Sequence, residues 1–194
     1  MIWLLKARHT FPLTGIVAVS LFAAPLLGDL SIAIPTLRGG VAAGISVTAV
    51  IALITPIAIG LSLHTDGRAE YRAAARDLRV IDAATILAYI ALSAVAALIA
   101  GLLFHTIPAA VVAVRDICGL TGIFLIVASF ISWSAAMTAP TLFVFVCALI
   151  GRAPTGIETW AWPIALPGSL SAVALSGTLG AIGFAAAVLR PRRE

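Results

Sequence analysis

Charged side chains are scarce in this sequence: they make up 10% of its 194 residues, whereas a soluble domain carries roughly 25%. Cysteine is scarcer still, and both copies, Cys118 and Cys147, lie in apolar stretches, which argues against a disulfide framework and a zinc site. The three histidines, His9, His64 and His105, do not share one helix face at metal-ligand spacing. We therefore predict no bound metal, no cofactor and no enzymatic activity.

The sequence contains long apolar stretches without charged residues. Five stretches carry no Asp, Glu, Lys or Arg, and they cover residues 10–28, 39–63, 83–114, 117–151 and 159–189. An α-helix needs about 20 apolar residues to cross a bilayer. A soluble helix does not need such runs, because one of its faces meets water. The sequence therefore predicts an all-α, polytopic membrane protein embedded in the lipid bilayer.

Proline and tryptophan divide the longest runs into individual spans. Pro108 suits the first turn of a new helix, and the run 117–151 is too long for one helix. Trp133 and Pro140 indicate a turn at the membrane surface within it. We predict one transmembrane domain over residues 1–194, with six helices at 10–29, 40–63, 83–104, 108–132, 137–151 and 166–189.

The distribution of basic residues predicts the orientation of these helices. In a six-helix arrangement, one side of the membrane carries nine Lys and Arg residues and the other carries Arg38, Arg115 and Arg152. Cytoplasmic loops are enriched in Lys and Arg, so both termini are predicted to be cytoplasmic in a multi-pass protein of the bacterial plasma membrane. No basic face is interleaved with aromatic residues, so we predict no binding to nucleic acid.

Residues 64–82 form the one internal block in which charge is concentrated. The block holds four arginines and four acidic residues in the loop between the second and third predicted spans. Three consecutive alanines, 73–75, favour helix, and Thr65 or Asp66 is suited to cap it. The pattern predicts a short amphipathic helix over residues 66–79 at the cytoplasmic face. It serves either as an anchor on lipid phosphates or as a docking surface for a soluble partner.

Two features of the second half of the chain are predicted to be functional. Arg115 and Asp116 fall inside the fourth predicted span, where ionisable residues are costly and usually functional; the alternative is that this span starts later and the pair lies at the outer interface. The segment before the sixth span carries Trp160 and Trp162 between prolines. Tryptophan is enriched at the headgroup level, so both side chains are predicted to lie at the outer membrane interface.

Small residues at helical spacing predict close helix packing. Gly40 and Gly44 form one pair four residues apart, and Ala172, Ser176 and Gly180 form a longer ridge on the sixth predicted span. Membrane helices approach closely where such residues face a neighbour. Packing within one chain is the expected role, and a subunit interface is the alternative.

The layout of six spans, an amphipathic helix between the second and third, and an interfacial segment before the sixth resembles the permease subunit of a type-2 ABC exporter. The stretch VRDICGLTGIFLIVASFISW, followed by GRAPTG and TWAWP, is also similar to small actinobacterial membrane proteins encoded beside such exporters. The resemblance implies a cytoplasmic ABC ATPase as partner and a second permease copy or a paralogue. It also implies seven ATPase contacts: Arg68, Glu70, Tyr71, Arg72, Arg76, Asp77 and Leu78.

Two other functions fit the same pattern. The substrate-capture subunit of an energy-coupling-factor importer has a similar length and span count and meets its coupling partner through small-residue ridges. The short outer loops offer few polar groups for a vitamin, which favours the exporter. A structural membrane subunit without a transport path is the third possibility.

Overall fold

A computed structural model describes residues 10–27, 30–34, 43–63, 78–153 and 156–189. Its fold is all-α, as predicted, apart from two short antiparallel strand pairs. Eight helices, α1–α8, cover Thr10–Ala23, Val47–Ala52, Ile54–Leu63, Leu78–Leu103, Ile107–Phe130, Trp133–Ala136, Thr138–Ile150 and Leu170–Leu189. The strands are β1 (Ser31–Ile34), β2 (Ala43–Ser46), β3 (Arg152–Ala153) and β4 (Gly156–Ile157), and two 3₁₀ turns cover Ala24–Leu27 and Trp162–Ile164.

Four helical stretches of the described chain are long and apolar enough to cross a membrane. They are Ile81–Leu103, Ile107–Phe130, Trp133–Ile150 and Leu170–Leu189. Large apolar side chains such as Val95, Leu142 and Ile182 are exposed on their outer faces, as expected where lipid is the solvent. These helices support the prediction of a membrane protein at the level of composition and length.

Helix α5 is the centre of the bundle. Two thirds of its apolar window (67%) is buried, against 33% for the α4 window and 17% for α8. It packs against α2, α3, α4, α7 and α8, and its fully buried side chains include Ile117, Leu120 and Phe124. Any charged group on the buried face of α5 is therefore surrounded by protein.

The first two predicted spans differ from the helices observed. Over residues 10–29, the α-helix stops at Ala23 and continues only as the 3₁₀ turn to Leu27. Over residues 40–63, strand β2 pairs with β1, and helix begins only at Val47, where the Ser46 hydroxyl accepts a hydrogen bond from the Thr48 amide at 3.2 Å. The helix is divided again at Leu53. Among the described residues, both regions contain apolar helices shorter than 18 residues.

The prediction that Gly44 belongs to a helical small-residue pair is wrong. Gly44 lies in β2 opposite Ala33, and a Cβ atom there would lie 2.6 Å from the Ser31 Cβ. The close approach is therefore between two strands. Its partner in the predicted pair, Gly40, lies outside the described residues.

The third and fourth predicted spans match α4 and α5 to within a few residues at each end. Helix α4 ends at a turn in which His105 adopts a left-handed backbone conformation with φ of 55°. That conformation is common where a helix ends. Helix α5 then begins at Ile107 with Pro108 in its first turn, the position at which proline loses no helical hydrogen bond.

The last two predicted spans correspond to α6–α7 and α8. Ser132 caps α6, because its hydroxyl accepts from the Ala135 amide at 3.3 Å. Ser169 caps α8 in the same way through Ala172 at 3.4 Å. The cap places the start of α8 at Leu170, four residues later than the predicted position of 166.

Helices α5 and α8 touch through their backbones. A Cβ atom on Gly122 would overlap the carbonyl group of Leu179 and lie 2.6 Å from the Gly180 nitrogen. A Cβ atom on Gly183 would in turn overlap the Gly122 carbonyl. Ala172 and Ser176, the first two residues of the predicted ridge, are buried in the same helix. The ridge therefore packs within the chain.

Candidate functional site

Six of the seven predicted docking residues fall in the part of the chain that the structure does not describe. Arg68, Glu70, Tyr71, Arg72, Arg76 and Asp77 lie outside the described residues. Leu78 is the first residue of α4. The amphipathic helix over residues 66–79 and its role therefore remain predictions.

Arg115 and Asp116 form a buried ion pair near the middle of α5. The Arg115 Nε donates to Asp116 Oδ1 at 3.0 Å, and the exposed fractions of the two side chains are 1% and 0%. Helix α5 begins at Ile107, so the pair lies inside the helix and not before its start; its depth in the membrane remains a prediction. Burial of unpaired charge is costly, so each residue requires the other.

Arg115 also binds the segment that precedes α8. Residues Glu158–Leu166, hereafter the strap, connect β4 to the turn before α8. The Arg115 Nη1 donates to the Ala165 carbonyl at 3.1 Å and to the Leu166 carbonyl at 3.3 Å. One guanidinium therefore connects the central helix to a segment fifty residues further along the chain.

Trp162 is the second point at which the strap meets the helices. Its indole fills the space left by Gly119, where a Cβ atom would overlap Cη2 and lie 2.5 Å from Cζ2. On its other side, the ring of Phe143 from α7 lies 5.7 Å from the indole ring, centroid to centroid. Gly119 follows Arg115 by four residues, so the Trp162 indole and the Arg115 guanidinium lie on the same side of α5.

The Trp162 side chain is fully buried in protein, which the sequence did not predict; its place at the outer membrane interface remains a prediction. The burial is due to the notch at Gly119, which accepts the indole. Trp160 is half-buried, and its placement at the outer interface remains a prediction.

Among the described residues, several polar atoms of this cluster have no hydrogen-bond partner. They are Arg115 Nη2, Asp116 Oδ2 and Trp162 Nε1, and all are buried. An arginine and a carboxylate often pair through two parallel hydrogen bonds. Here Nε makes one bond to Oδ1, the second bond from Nη2 to Oδ2 is not made, and Nη1 donates to the strap. The cluster thus retains unused hydrogen-bonding capacity on both members of the ion pair.

The sequence singled out Arg115 and Asp116 but predicted neither their ion pair nor its contacts with the strap. The position of Gly119 could have been recognised, since it lies one helical turn after Arg115 and therefore on the same helix face. The two strap acceptors are backbone carbonyls, which any residue provides and no sequence pattern indicates. Cys147 gave no functional signal either, although it is fully buried on α7 between Phe143 and Gly151.

The contacts of this cluster position the strap against α5. Asp116 Oδ1 accepts a hydrogen bond from Arg115 Nε. In the part of the chain that the structure describes, no three His, Cys, Asp or Glu residues are grouped as a metal would require.

Comparisons with protein-family models, with curated proteins and with solved structures found no match for this chain.

Proposed function

We propose that the protein is the transmembrane subunit of an ATP-driven ABC-type exporter in the bacterial plasma membrane. In this proposal six spans cross the bilayer with both termini in the cytoplasm, and the shorter helices α1 and α2–α3 contribute to the first two spans. A second copy or a paralogue completes the transport path. A separate cytoplasmic ATPase supplies the energy.

The observation that carries the proposal is the position of the charged block between two packed helices. Helix α3 ends at Leu63 and α4 begins at Leu78, so the charged residues between them are joined directly to both. Helices α3 and α4 contact each other and both contact α5. Force applied to the block by a partner would therefore reach the centre of the bundle through rigid elements.

The balanced charge of the block supports a protein partner over a lipid surface. Residues 64–82 contain four arginines and four acidic residues, whereas anionic lipid attracts segments with excess basic charge. Exposed ion pairs contribute only about 0–1 kcal/mol each. Tyr71 and Leu78 would then supply most of the affinity, and Arg72 and Arg76 would set the register.

A pull-down with an ABC ATPase tests the docking role. The variant Tyr71→Ala with Arg72→Glu should lose co-purification with the ATPase and retain membrane insertion. Arg192→Glu is the matched control, because it makes the same charge change on the same predicted membrane face. Full-strength binding by the double variant would leave the block as a lipid-facing anchor.

Labelling from outside the cell tests the proposed topology. In a cysteine-free background, a cysteine placed at Glu194 should resist a membrane-impermeant thiol reagent in intact cells and react after the cells are opened. Strong labelling in intact cells would contradict the six-span arrangement.

The importer alternative is less well supported by the contacts observed. A substrate-capture subunit would offer a small-residue ridge to its coupling partner, and the ridge of α8 is already used against α5. Ala172 and Ser176 are buried there, at 1% and 2% exposure.

A subunit without a transport path would bind no ATPase in the pull-down.

A further inference from the structure

We propose that the strap is a movable element that opens and closes over α5 and α7, and that Arg115 holds it closed. In the closed state, the guanidinium is divided between the strap carbonyls and Asp116. In the open state, Arg115 turns wholly to Asp116 and Trp162 leaves the notch at Gly119. This inference does not require the ATPase partner.

The first support is the division of the Arg115 donors. Nη1 binds two strap carbonyls and Nε binds Asp116 Oδ1, while Nη2 and Asp116 Oδ2 have no partner. A fully paired arginine and carboxylate would form two parallel bonds. The bonds from Nη1 to the strap fix the orientation of the planar guanidinium, and in that orientation the second bond, from Nη2 to Oδ2, is not made. Release of the strap frees the guanidinium to rotate and form that bond. The same two side chains thus have two competing arrangements.

The second support is the unsatisfied hydrogen-bond donor of the buried Trp162 side chain. Its ring is well packed against Gly119 and Phe143, but its Nε1–H is buried without an acceptor. A buried donor without a partner is unfavourable relative to one that reaches water or a headgroup. Tryptophan is also enriched at the membrane surface. Opening would therefore restore a hydrogen bond to the indole in exchange for its apolar contacts.

The third support is that the strap satisfies much of its own backbone. Ala161 donates to the Glu158 carbonyl at 3.0 Å, Ile164 to Ala161 at 3.1 Å, and Ala165 to Trp162 at 3.1 Å. A segment held together by such local backbone hydrogen bonds can move as one unit and keep them. Its docking on α5 rests on the Arg115 donors and the Trp162 ring, which are side-chain contacts.

A native reporter lies beneath the strap. On α7, Phe143 contacts the Trp162 ring, and a Cβ atom on Gly151 would lie 2.5 Å from the Ala161 Cβ. Cys147 lies between them on the same helix face, since the three residues are four apart, and its exposed fraction is 0%. Opening of the strap would therefore make the Cys147 thiol reactive.

The experiment measures the rate at which a small methanethiosulfonate reagent modifies Cys147 in full-length Cys118→Ser protein in lipid nanodiscs. Gly119→Ala fills the notch and should raise the rate about tenfold. Gly177→Ala is the matched control, because nothing lies within 4 Å of the Cβ it adds to α8, and it should leave the rate unchanged. Equal rates in the two variants would overturn the proposal.

A neutral replacement of the ion pair tests the role of Arg115. The double variant Arg115→Gln with Asp116→Asn leaves no lone buried charge, and the Gln side chain, whose amide nitrogen lies near the former Nε position, is too short to reach the strap carbonyls that Nη1 binds. The double variant should also raise the Cys147 modification rate about tenfold, because the strap loses its hydrogen bonds to Arg115. The fold should survive, since a buried pair replaced as a whole is often tolerated. If the double variant reacts at the parent rate, the pair does not hold the strap and the proposal fails.

A second reporter separates opening of the strap from general loosening. Ala49 is fully buried on α2, which is neither the strap nor one of the two helices that the strap covers, and Ala49→Cys in a background without Cys118 and Cys147 supplies a thiol there. The Gly119→Ala and double variants should leave the rate at position 49 unchanged. A parallel rise at both reporters would mean that the whole bundle loosens, which overturns the proposal.

Discussion

The two halves of the described chain hold their helices together in different ways. In the N-terminal half, hydroxyl groups bridge elements: Thr48 donates to the Ala24 carbonyl at 3.3 Å, and Thr55 and Ser93 are hydrogen-bonded at 3.1 Å across α3 and α4. In the C-terminal half, α5 and α8 meet backbone to backbone at Gly122 and Gly183. That half also contains the buried ion pair and the strap.

The difference shows how helix packing in an apolar environment depends on what lies at the contact. Lipid tails are as apolar as the helix surface, so association depends on close packing and interhelical hydrogen bonds. The glycine contact gains from close approach and tolerates no added atom. The hydroxyl contact gains from one weak bond and tolerates its loss. We therefore expect substitutions in the C-terminal half to be the more damaging.

The largest effect is expected at the ion pair. Arg115→Gln leaves the buried Asp116 carboxyl without its charged partner, and loss of one member of a buried pair costs about 3–5 kcal/mol. The measurement is the free energy of unfolding, from denaturant titration of protein in bicelles. The double variant with Asp116→Asn should recover a large part of that loss. A double variant as unstable as the single one would show that hydrogen bonds to the strap, rather than the lone charge, dominate.

A smaller loss is expected at the contact between α5 and α8. The added methyl group of Gly122→Ala would overlap the Leu179 carbonyl, which is backbone and cannot rotate away. Overpacking costs roughly 1–3 kcal/mol, and we expect the upper part of that range in the same titration. Gly177→Ala, on the open face of α8, is the control and should be neutral. Equal stability of the two variants would contradict the backbone contact.

The sequence predicted the C-terminal helices better than the N-terminal ones. Pro108 and the long apolar runs fixed α4, α5 and α7 to within a few residues, because composition and helix length decide the outcome there. Residues 43–46 are equally apolar, yet they pair with β1. A short apolar run satisfies a strand as well as a helix, and only the partner strand decides between them.

The candidate site was predictable only in part, and for a similar reason. Arg115 and Asp116 stand out because charge is rare inside an apolar run. The notch at Gly119 and the acceptors at Ala165 and Leu166 depend on contacts between distant parts of the chain. The burial of Trp162 was not predicted, because tryptophan fits a membrane surface and a protein core equally well, and the choice is made by the space that Gly119 leaves.

A modest loss is expected at the hydroxyl contact of the N-terminal half. Ser93 donates to the Tyr89 carbonyl at 2.6 Å, so the Thr55 hydroxyl is the donor in the bond between Thr55 and Ser93. Thr55→Val removes that bond and leaves Ser93 with its own acceptor, so the loss should be about 0.6 kcal/mol in the same titration. Ser93→Ala removes both bonds and should cost more. If Thr55→Val lowered the free energy of unfolding as much as Gly122→Ala does, the proposed difference between the two halves would be wrong.

The smallest effect, of opposite sign, is expected at Thr121. This residue lies on α5 with an exposed fraction of 1%, and its Oγ1 has no hydrogen-bond partner. Valine has the same shape without the hydroxyl, and removal of a buried group that lacks a partner is neutral or stabilising. Thr121→Val should therefore be between unchanged and about 1 kcal/mol more stable. Thr55→Val is the matched control, because it makes the same chemical change at a buried threonine that does have a partner. If both variants lose the same stability, the Thr121 hydroxyl binds a partner such as a buried water, and the C-terminal half then uses hydroxyl bonds as the N-terminal half does.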